Sequence, residues 1–269
     1  MRNVISAATQ QVDDRHLARL AGARLPSHLA VIPDGNRRWA EERNLSVLDG
    51  HRQGFEVAKS LSSFCRRIGI HTVTIWAFST ENWRRSPDQV SALMALYEEW
   101  LKDLLVEALE EEVRVGHLGR LIGVPEGAHE AAAAVGFPDG LPPGLIQAIN
   151  NVQEKTAHFE RSVINLAINY GGADEIQRAV GRLVRHAQET GKDPSELDIH
   201  SFLDTGGQPH PNPDIVWRTS GEVRSSGFLP LQSAYAEMVF TPKYFPELGE
   251  DDVVDTVLEY SARARRFGE

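Results

Sequence analysis

The stretch HLAVIPDGNRRWA, His28 to Ala40, decides how the rest of the chain reads. Leu29, Ala30, Val31 and Ile32 form the short apolar run of a buried strand. Pro33 ends the ladder, and Asp34-Gly35-Asn36 turn the chain into the basic segment Arg37-Arg38-Trp39. Where a strand gives way to a helix, free backbone N–H groups and the helix dipole favour a bound anion. Asp34 would repel a bare phosphate, so its presence implies a divalent cation between the two. The flanking arginines then neutralise the remaining charge. The stretch predicts a magnesium–diphosphate site. A bare D-G-N also fits a surface turn with a capping aspartate, so the remaining residues must decide.

Downstream, Gly50 and His51 are expected to open a helix, with Phe55, Val57, Leu61 and Phe64 at helical spacing and Gly69 closing it. HTVTIWAF reads as a buried strand that runs into Ser79-Thr80-Glu81-Asn82-Trp83-Arg84-Arg85. Polar residues at a strand's carboxyl end are what an α/β site requires. Residues 87–112 form the longest helix candidate, whose broad apolar face suits a core or the wall of a hydrocarbon channel. VRVGHLG, VINLAINY, DIVWRTSG and EMVFT supply further strands, with helices expected from about Leu145 to Glu160, from Asp174, and from Glu250 to about Arg266. The last of these looks acidic in its first turn and basic in its last, as the macrodipole favours. Strands alternating with helices predict an α/β fold with one central, mainly parallel sheet covered by helices. That domain spans 27–269, after an N-terminal extension at 1–26 to which no chemistry is assigned.

Composition narrows the function. Hydrophobic content of 41% and charged content of 25% are ordinary for a globular chain. A net charge of −10 argues against a nucleic-acid partner. Cys65 is the single cysteine, and the ten histidines show no zinc spacing. No apolar run reaches membrane-spanning length and the N-terminus lacks a signal-peptide core, so a cytoplasmic protein with at most peripheral membrane contact is expected. No G-x-G-x-x-G follows the first strand, which disfavours a Rossmann dehydrogenase.

Four separated segments carry phosphate-suited residues: Asp34 to Arg38, Gly50-His51, Asn82 to Arg85, and Arg218 to Ser226. Taken with HLAVIPDGNRRWA, the blocks ENWRRS, NYGG, RTSGEVRSSGF…AYAEMVF and the closing ARRFG resemble the cis-prenyltransferases, the family of undecaprenyl diphosphate synthase. The resemblance covers residues 28–268. It implies a hydrophobic tunnel in the fold and Z-selective condensation of isopentenyl diphosphate with an allylic diphosphate such as geranyl or farnesyl diphosphate. Pyrophosphate leaves in that reaction. Carried over residue by residue, it implies that Asp34 holds Mg²⁺ on the allylic diphosphate and that Glu237 joins Asp34 on the metal. Gly35, Asn36 and Arg38 would grip those phosphates, supported by His51 and Arg85, with Trp39, Ser79, Glu81 and Trp83 in the same substrate-binding set. Arg218, Arg224 and Ser226 would take the isopentenyl diphosphate. Arg266 and Gly268 would reach the second substrate of a partner subunit in a homodimer. Asp34, Asn82 and a phosphate oxygen are the candidate routes for the departing proton.

The chain also departs from the family's pattern. Val47 stands where an arginine is usual, Ala173 follows NYGG in place of an arginine, and Arg120 sits where an aspartate is common. Gly227 replaces an asparagine, and Pro230-Leu231 replaces leucine-tryptophan. Phe55 stands where a small residue is typical, which predicts a short or medium product. The alternatives in keeping with the same site are a non-catalytic partner subunit and a coupling or branching enzyme of specialised metabolism. Asp251-Asp252-Val253-Val254-Asp255 matches the D-D-x-x-D of trans-prenyltransferases, but at a helix start the dipole alone favours those acids.

Overall fold

The computed structural model describes residues 12–124 and 127–263. The run that opens the reading, His28–Ile32, is strand β1, buried along its whole length. In chain order the elements are α1 (Asp14–Leu20), β1, α2 (Asn36–Glu42), α3 (Val47–Arg67), β2 (Thr72–Ser79), α4 (Pro87–Glu110), β3 (Arg114–Leu118) and α5 (His129–Ala134). Then come α6 (Pro143–Thr156), β4 (Val163–Tyr170), α7 (Gly172–Thr190), β5 (Ile215–Arg218), β6 (Glu237–Phe240) and α8 (Glu250–Ala262). The six strands lie in the order β3-β4-β2-β1-β5-β6. Every neighbouring pair is parallel. The expected α/β architecture with a parallel sheet is therefore present, and the near-continuous burial of β1 and β4 follows from helices on both faces.

Three apolar clusters hold the layers. Leu61, Phe64 and Cys65 of α3 meet Val253, Val257 and Tyr260 of α8 over Leu29, Val31 and Val73. Leu93, Met94, Tyr97 and Leu101 of α4 pack with Leu145 and Ile149 of α6 against Ile164, Leu166 and Ile168. Ala30, Ile32, Tyr170 and Val216 close with Phe228 and Leu229 in the third. Each fully buried side chain of this size stabilises the fold by roughly 1.5–3 kcal/mol.

Helix α6 ends at Thr156, short of the expected Glu160, and α7 starts at Gly172, ahead of Asp174; two further boundaries differ from expectation for local reasons. Helix α3 starts at Val47, ahead of Gly50-His51, because Ser46 and Asp49 form a capping box there. Gly50 instead permits the close approach of α2, since a Cβ there would lie 2.2 Å from the Asn36 carbonyl oxygen. Helix α8 ends at Ala262 with no basic residue in its last turn. Its final carbonyls are served by Arg24, whose Nη2 donates to Tyr260 O at 3.1 Å and Arg263 O at 3.2 Å. The D-D-x-x-D stretch is structural: Asp251 and Asp255 pair with Arg19 of α1, and Asp252 pairs with Lys243 at 2.6 Å. Among the described residues no helix is long and apolar enough to cross a membrane.

Candidate active site

In a parallel sheet all strands end on one side, and β2, β1 and β5 are immediate neighbours. Ser79, Asp34 and Arg218 therefore arrive together at the carboxyl edge, the place where α/β sheets bind ligands. The Asp34 turn is fixed from behind. Its N–H donates to Thr219 Oγ1 at 2.8 Å, the same hydroxyl donates to Asp34 O at 2.7 Å, and the Phe245 N–H reaches that carbonyl at 3.0 Å. Gly35 follows at φ +98°, and a Cβ there would lie 2.6 Å from Tyr244 Cδ1. Glycine is required at this position by conformation and by space alike.

The Asp34 carboxylate accepts from Gly35 N at 2.7 Å and from Arg218 Nη2 at 3.0 Å, with Arg38 Nη2 at 3.6 Å. Arg218 is 5% exposed; its Nη1 donates to Arg224 O at 2.6 Å and to Ser226 Oγ at 2.8 Å. Its Nε is buried without a hydrogen-bond partner, the mark of a cation arranged to take an anion. Arg38 bonds the Ser220 hydroxyl, lies over the Tyr244 ring at 5.5 Å and approaches Glu222 at 3.7 Å.

These groups line one cavity of ≈ 1010 Å³. Its polar mouth carries Asp34, Gly35, Asn36, Arg38, His51 and Arg85, and beyond them Ser79, Glu81, Asn82, Arg218, Arg224 and Ser226. Asn82 Oδ1 accepts the Ser79 N–H at 3.1 Å and so caps the short 3-10 turn that presents both. Burial, and then the Arg85 charge, push the His51 imidazole down to about 4, so it is neutral at neutral pH. The inner end is apolar, with Phe55, Ile75, Ala77, Tyr97 and Trp100. Phe55 stacks on Trp100 at 4.9 Å with an interplanar angle of 13°, and its centroid lies 5.3 Å from that of Tyr97.

Several expected site residues stand elsewhere. Trp83 is wholly buried among core side chains, its Nε1 donating to Asn169 Oδ1 at 2.8 Å; it braces the turn that carries Asn82 and does not line the cavity. Trp39 is also absent from the lining and lies under Arg43, 4.7 Å from its ring. Glu237 does not join Asp34 within one chain. It opens β6 opposite Ile215, whereas Arg218 at the site end pairs with Phe240. The separation along the strand is roughly 10 Å at ~3.3 Å per residue, and the carboxylate accepts from Arg263 Nη1 at 2.9 Å. Arg266 and Gly268 lie outside the described residues. Two contributors, Tyr244 and Phe245, lie outside every segment singled out in the sequence, and two more, Thr219 and Glu222, lie inside the Arg218 to Ser226 segment without a role assigned to them. Glu222 sits inside the RTSGEVR block and its charge was a usable signal, but Tyr244 reaches Gly35 across some two hundred residues and left none.

A metal would find one carboxylate at the heart of the mouth, Asp34, with Glu81 and Glu222 also on the lining. Among the described residues no cluster of three His, Cys, Asp or Glu could hold an ion by itself. Such a donor set fits Mg²⁺, which commonly keeps water and shares one or two carboxylates with substrate phosphates.

A family model described as "Putative undecaprenyl diphosphate synthase" matches residues 32–136 and 131–268. An isoprenyl transferase of Listeria monocytogenes is 36% identical over 247 residues, covering 91% of this chain and 90% of that protein. One of Heliobacterium mobile is 39% identical over 248 residues, covering 91% and 88%. Among solved structures, lavandulyl diphosphate synthase from Lavandula x intermedia, in complex with dimethylallyl diphosphate, superposes with a TM-score of 0.79 at 32% identity, covering 91% of this chain and 99% of that one. A probable undecaprenyl diphosphate synthase from Campylobacter jejuni gives 0.68 at 28% identity, with the same 91% and 99% coverage. With the matched segments spanning nearly the whole chain and the diphosphate-suited residues gathered at one sheet edge, this protein belongs to the undecaprenyl diphosphate synthase family and is a prenyltransferase of isoprenoid biosynthesis.

Proposed function

We propose that this enzyme is a Mg²⁺-dependent, Z-selective isoprenyl diphosphate synthase that condenses isopentenyl diphosphate with an allylic diphosphate and releases pyrophosphate. One observation carries the reading: Asp34, Arg38, Arg218, Arg224 and Ser226 share the polar mouth of a cavity whose far end is aromatic and apolar. A diphosphate head and a hydrocarbon tail need that polarity. Asp34 would hold the cation against the allylic diphosphate, while Gly35, Asn36 and Arg38 grip the phosphates from the same turn. The bound cation supplies charge neutralisation for the leaving pyrophosphate. Arg218, Arg224 and Ser226 would hold the isopentenyl diphosphate beside it, and holding both partners together supplies the proximity term. The condensing unit must also shed a proton; Asp34 and Asn82 line the same cavity as candidate acceptors, and an oxygen of a bound diphosphate would be the third.

The Phe55–Trp100 stack supports a short to medium product, because it occupies the inner end of the hydrocarbon space. A homodimer is supported by apolar side chains left at the surface, Val180 and Val184 on α7 and Val223 and Tyr235 near the edge strand β6. A coupling or branching activity is the second reading, favoured by the likeness to lavandulyl diphosphate synthase.

The test is incubation of the purified chain with labelled isopentenyl diphosphate and C10, C15 or C20 primers, with Mg²⁺ or with chelator. Linear Z-products that stop well below C50, and that vanish with chelator, are expected. Branched products by NMR would select the second reading; absence of pyrophosphate release with every primer would point instead to a non-catalytic subunit. Phe55→Ala should lengthen the products, and an unchanged size distribution would dissociate Phe55 from chain length.

A further inference from the structure

Ser226 and Arg224 lie on a segment, residues 219–232, whose backbone is hard to sustain. Ser220, Ser226 and Leu229 are non-glycine residues at φ +75°, +52° and +47°, and Gly221 and Gly227 stand at +74° and +81°. Such conformations persist only where the surroundings over-determine them. On the upstream side the segment is held by Arg218 itself, through Arg224 O and Ser226 Oγ. The downstream side is held by residues that do not themselves line the cavity.

Tyr170 ends β4 and is wholly buried. Its hydroxyl accepts the Leu229 N–H at 3.2 Å and donates to the Glu175 carboxylate. Glu175, in the first turn of α7 and 0% exposed, uses its other oxygen to accept from Gln232 Nε2 at 2.9 Å and from the Asp204 N–H at 2.8 Å. One phenol and one carboxylate thus fix both Leu229 and Gln232. Between those anchors and the cavity stands a single aromatic layer. Phe228 stacks on Trp76 at 4.9 Å and 6° and meets Tyr170 edge-on at 5.9 Å, and Trp76 lines the cavity. The approach is close enough that a Cβ on Gly172 would lie 2.1 Å from Gly227 O. A buried carboxylate is costly to keep unless its hydrogen bonds do something a hydrocarbon could not. Here they clamp backbone in a shape that apolar packing alone does not specify.

We propose that Tyr170 and Glu175 are positioning residues for the isopentenyl diphosphate half of the site, fixing Leu229 and Gln232 and through them the turn that presents Ser226 and orients Arg218. The inference rests on the reading that Arg218, Arg224 and Ser226 take that diphosphate. It divides the mouth into two separately supported halves. The allylic half, on Gly35 to Arg38, leans on Thr219, Tyr244 and Phe245; it meets the segment only at its upstream end, where Ser220 bonds Arg38 and Arg218 bonds Asp34, and neither Tyr170 nor Glu175 bonds it.

The experiment measures, with Mg²⁺, the binding of isopentenyl diphosphate and of geranyl diphosphate separately to wild type, Tyr170→Phe and Glu175→Gln, together with each variant's melting temperature and KM values. Tyr170→Phe should weaken isopentenyl diphosphate binding roughly tenfold, the range expected for losing one buried partner. Geranyl diphosphate binding should stay within about twofold, and KM for isopentenyl diphosphate should rise by the same factor as its Kd. Glu175→Gln should move the same constant in the same direction, and it decides the matter if Tyr170→Phe does not fold. Equal weakening of both substrates would make the pair merely structural and overturn the inference, as would no weakening of either. A wild type that binds neither substrate defeats the functional reading itself and this inference with it; a wild type that binds both, matched by its variants, defeats the inference alone.

Discussion

The two turns that meet at the mouth solve the same problem in opposite ways. The Asp34 turn needs one left-handed residue, and it is a glycine, Gly35. The turn after β5 has left-handed residues at 220, 221, 226, 227 and 229, three of them not glycine. The first is set by sequence neighbours and a few contacts from 219, 244 and 245; the second is clamped by β4 and α7. A site can therefore be half locally encoded and half imposed by distant residues, and substitutions should separate the halves.

The largest effect is expected at the first turn. Asp34→Asn keeps an oxygen for the Gly35 N–H but removes the charge facing Arg218 and the carboxylate for a cation. Turnover should fall by about 10²–10³ or more, with the melting temperature little changed, as a pyrophosphate-release assay and a thermal melt would report. Retained turnover would exclude the metal role of Asp34. Next come the two glycines that permit close approach. Gly35→Ala places a Cβ 2.6 Å from Tyr244 Cδ1 at a left-handed φ, and Gly172→Ala places one 2.1 Å from Gly227 O. Each should cost on the order of 2–3 kcal/mol of stability. The first should impair the allylic substrate more and the second isopentenyl diphosphate, and the ratio of the two KM values measures this.

The same contrast explains what the sequence revealed. The strands, their parallel direction and the gathering of Asp34, Ser79, Asn82 and Arg218 were legible because apolar runs and polar strand ends are local patterns, whereas the order of the strands in the sheet was not. The start of α3 was misplaced because a capping box at Ser46–Asp49 outranks the Gly50-His51 pair. Glu237 stands apart from Asp34 within one chain because a motif gives spacing along the chain and not register: a three-residue offset on β6 separates it from the site end of its strand. Trp83 misled for another reason, since an aromatic next to site residues can be the strut beneath them. Tyr244, Tyr170 and Glu175 act through tertiary contact alone, which single-sequence periodicity does not contain.

A smaller effect should appear on acidification. Burial pushes His28 down to about 4, and burial likewise holds His117 near 4, against an unfolded value of 6.5. The folded state prefers these rings neutral, so stability is full above pH 6.5 and is lost as the pH falls toward 4. For the fully buried His28 the loss is on the order of 3 kcal/mol at about 1.4 kcal/mol per unit. His51 titrates in the same direction but beside the mouth, where a bound diphosphate favours its charged form. Acid denaturation should therefore be milder with substrate present, and equal pH slopes with and without it would separate His51 from the diphosphates.

The smallest effect sharpens the comparison most. Gly227 sits at φ +81° with nothing within 4 Å of where a Cβ would stand. Gly227→Ala thus meets strain but no clash, for roughly 1–2 kcal/mol, whereas Gly35→Ala meets both. Asparagine tolerates the left-handed region better than other residues with a Cβ, so Gly227→Asn should be close to neutral and should leave KM for isopentenyl diphosphate within about twofold. That outcome is expected where Tyr170, Glu175 and Gln232 impose the turn's shape and the residue at 227 has only to tolerate it. If Gly227→Asn instead weakened isopentenyl diphosphate binding as much as Tyr170→Phe, the shape would be local after all, and the two halves of the mouth would be built alike.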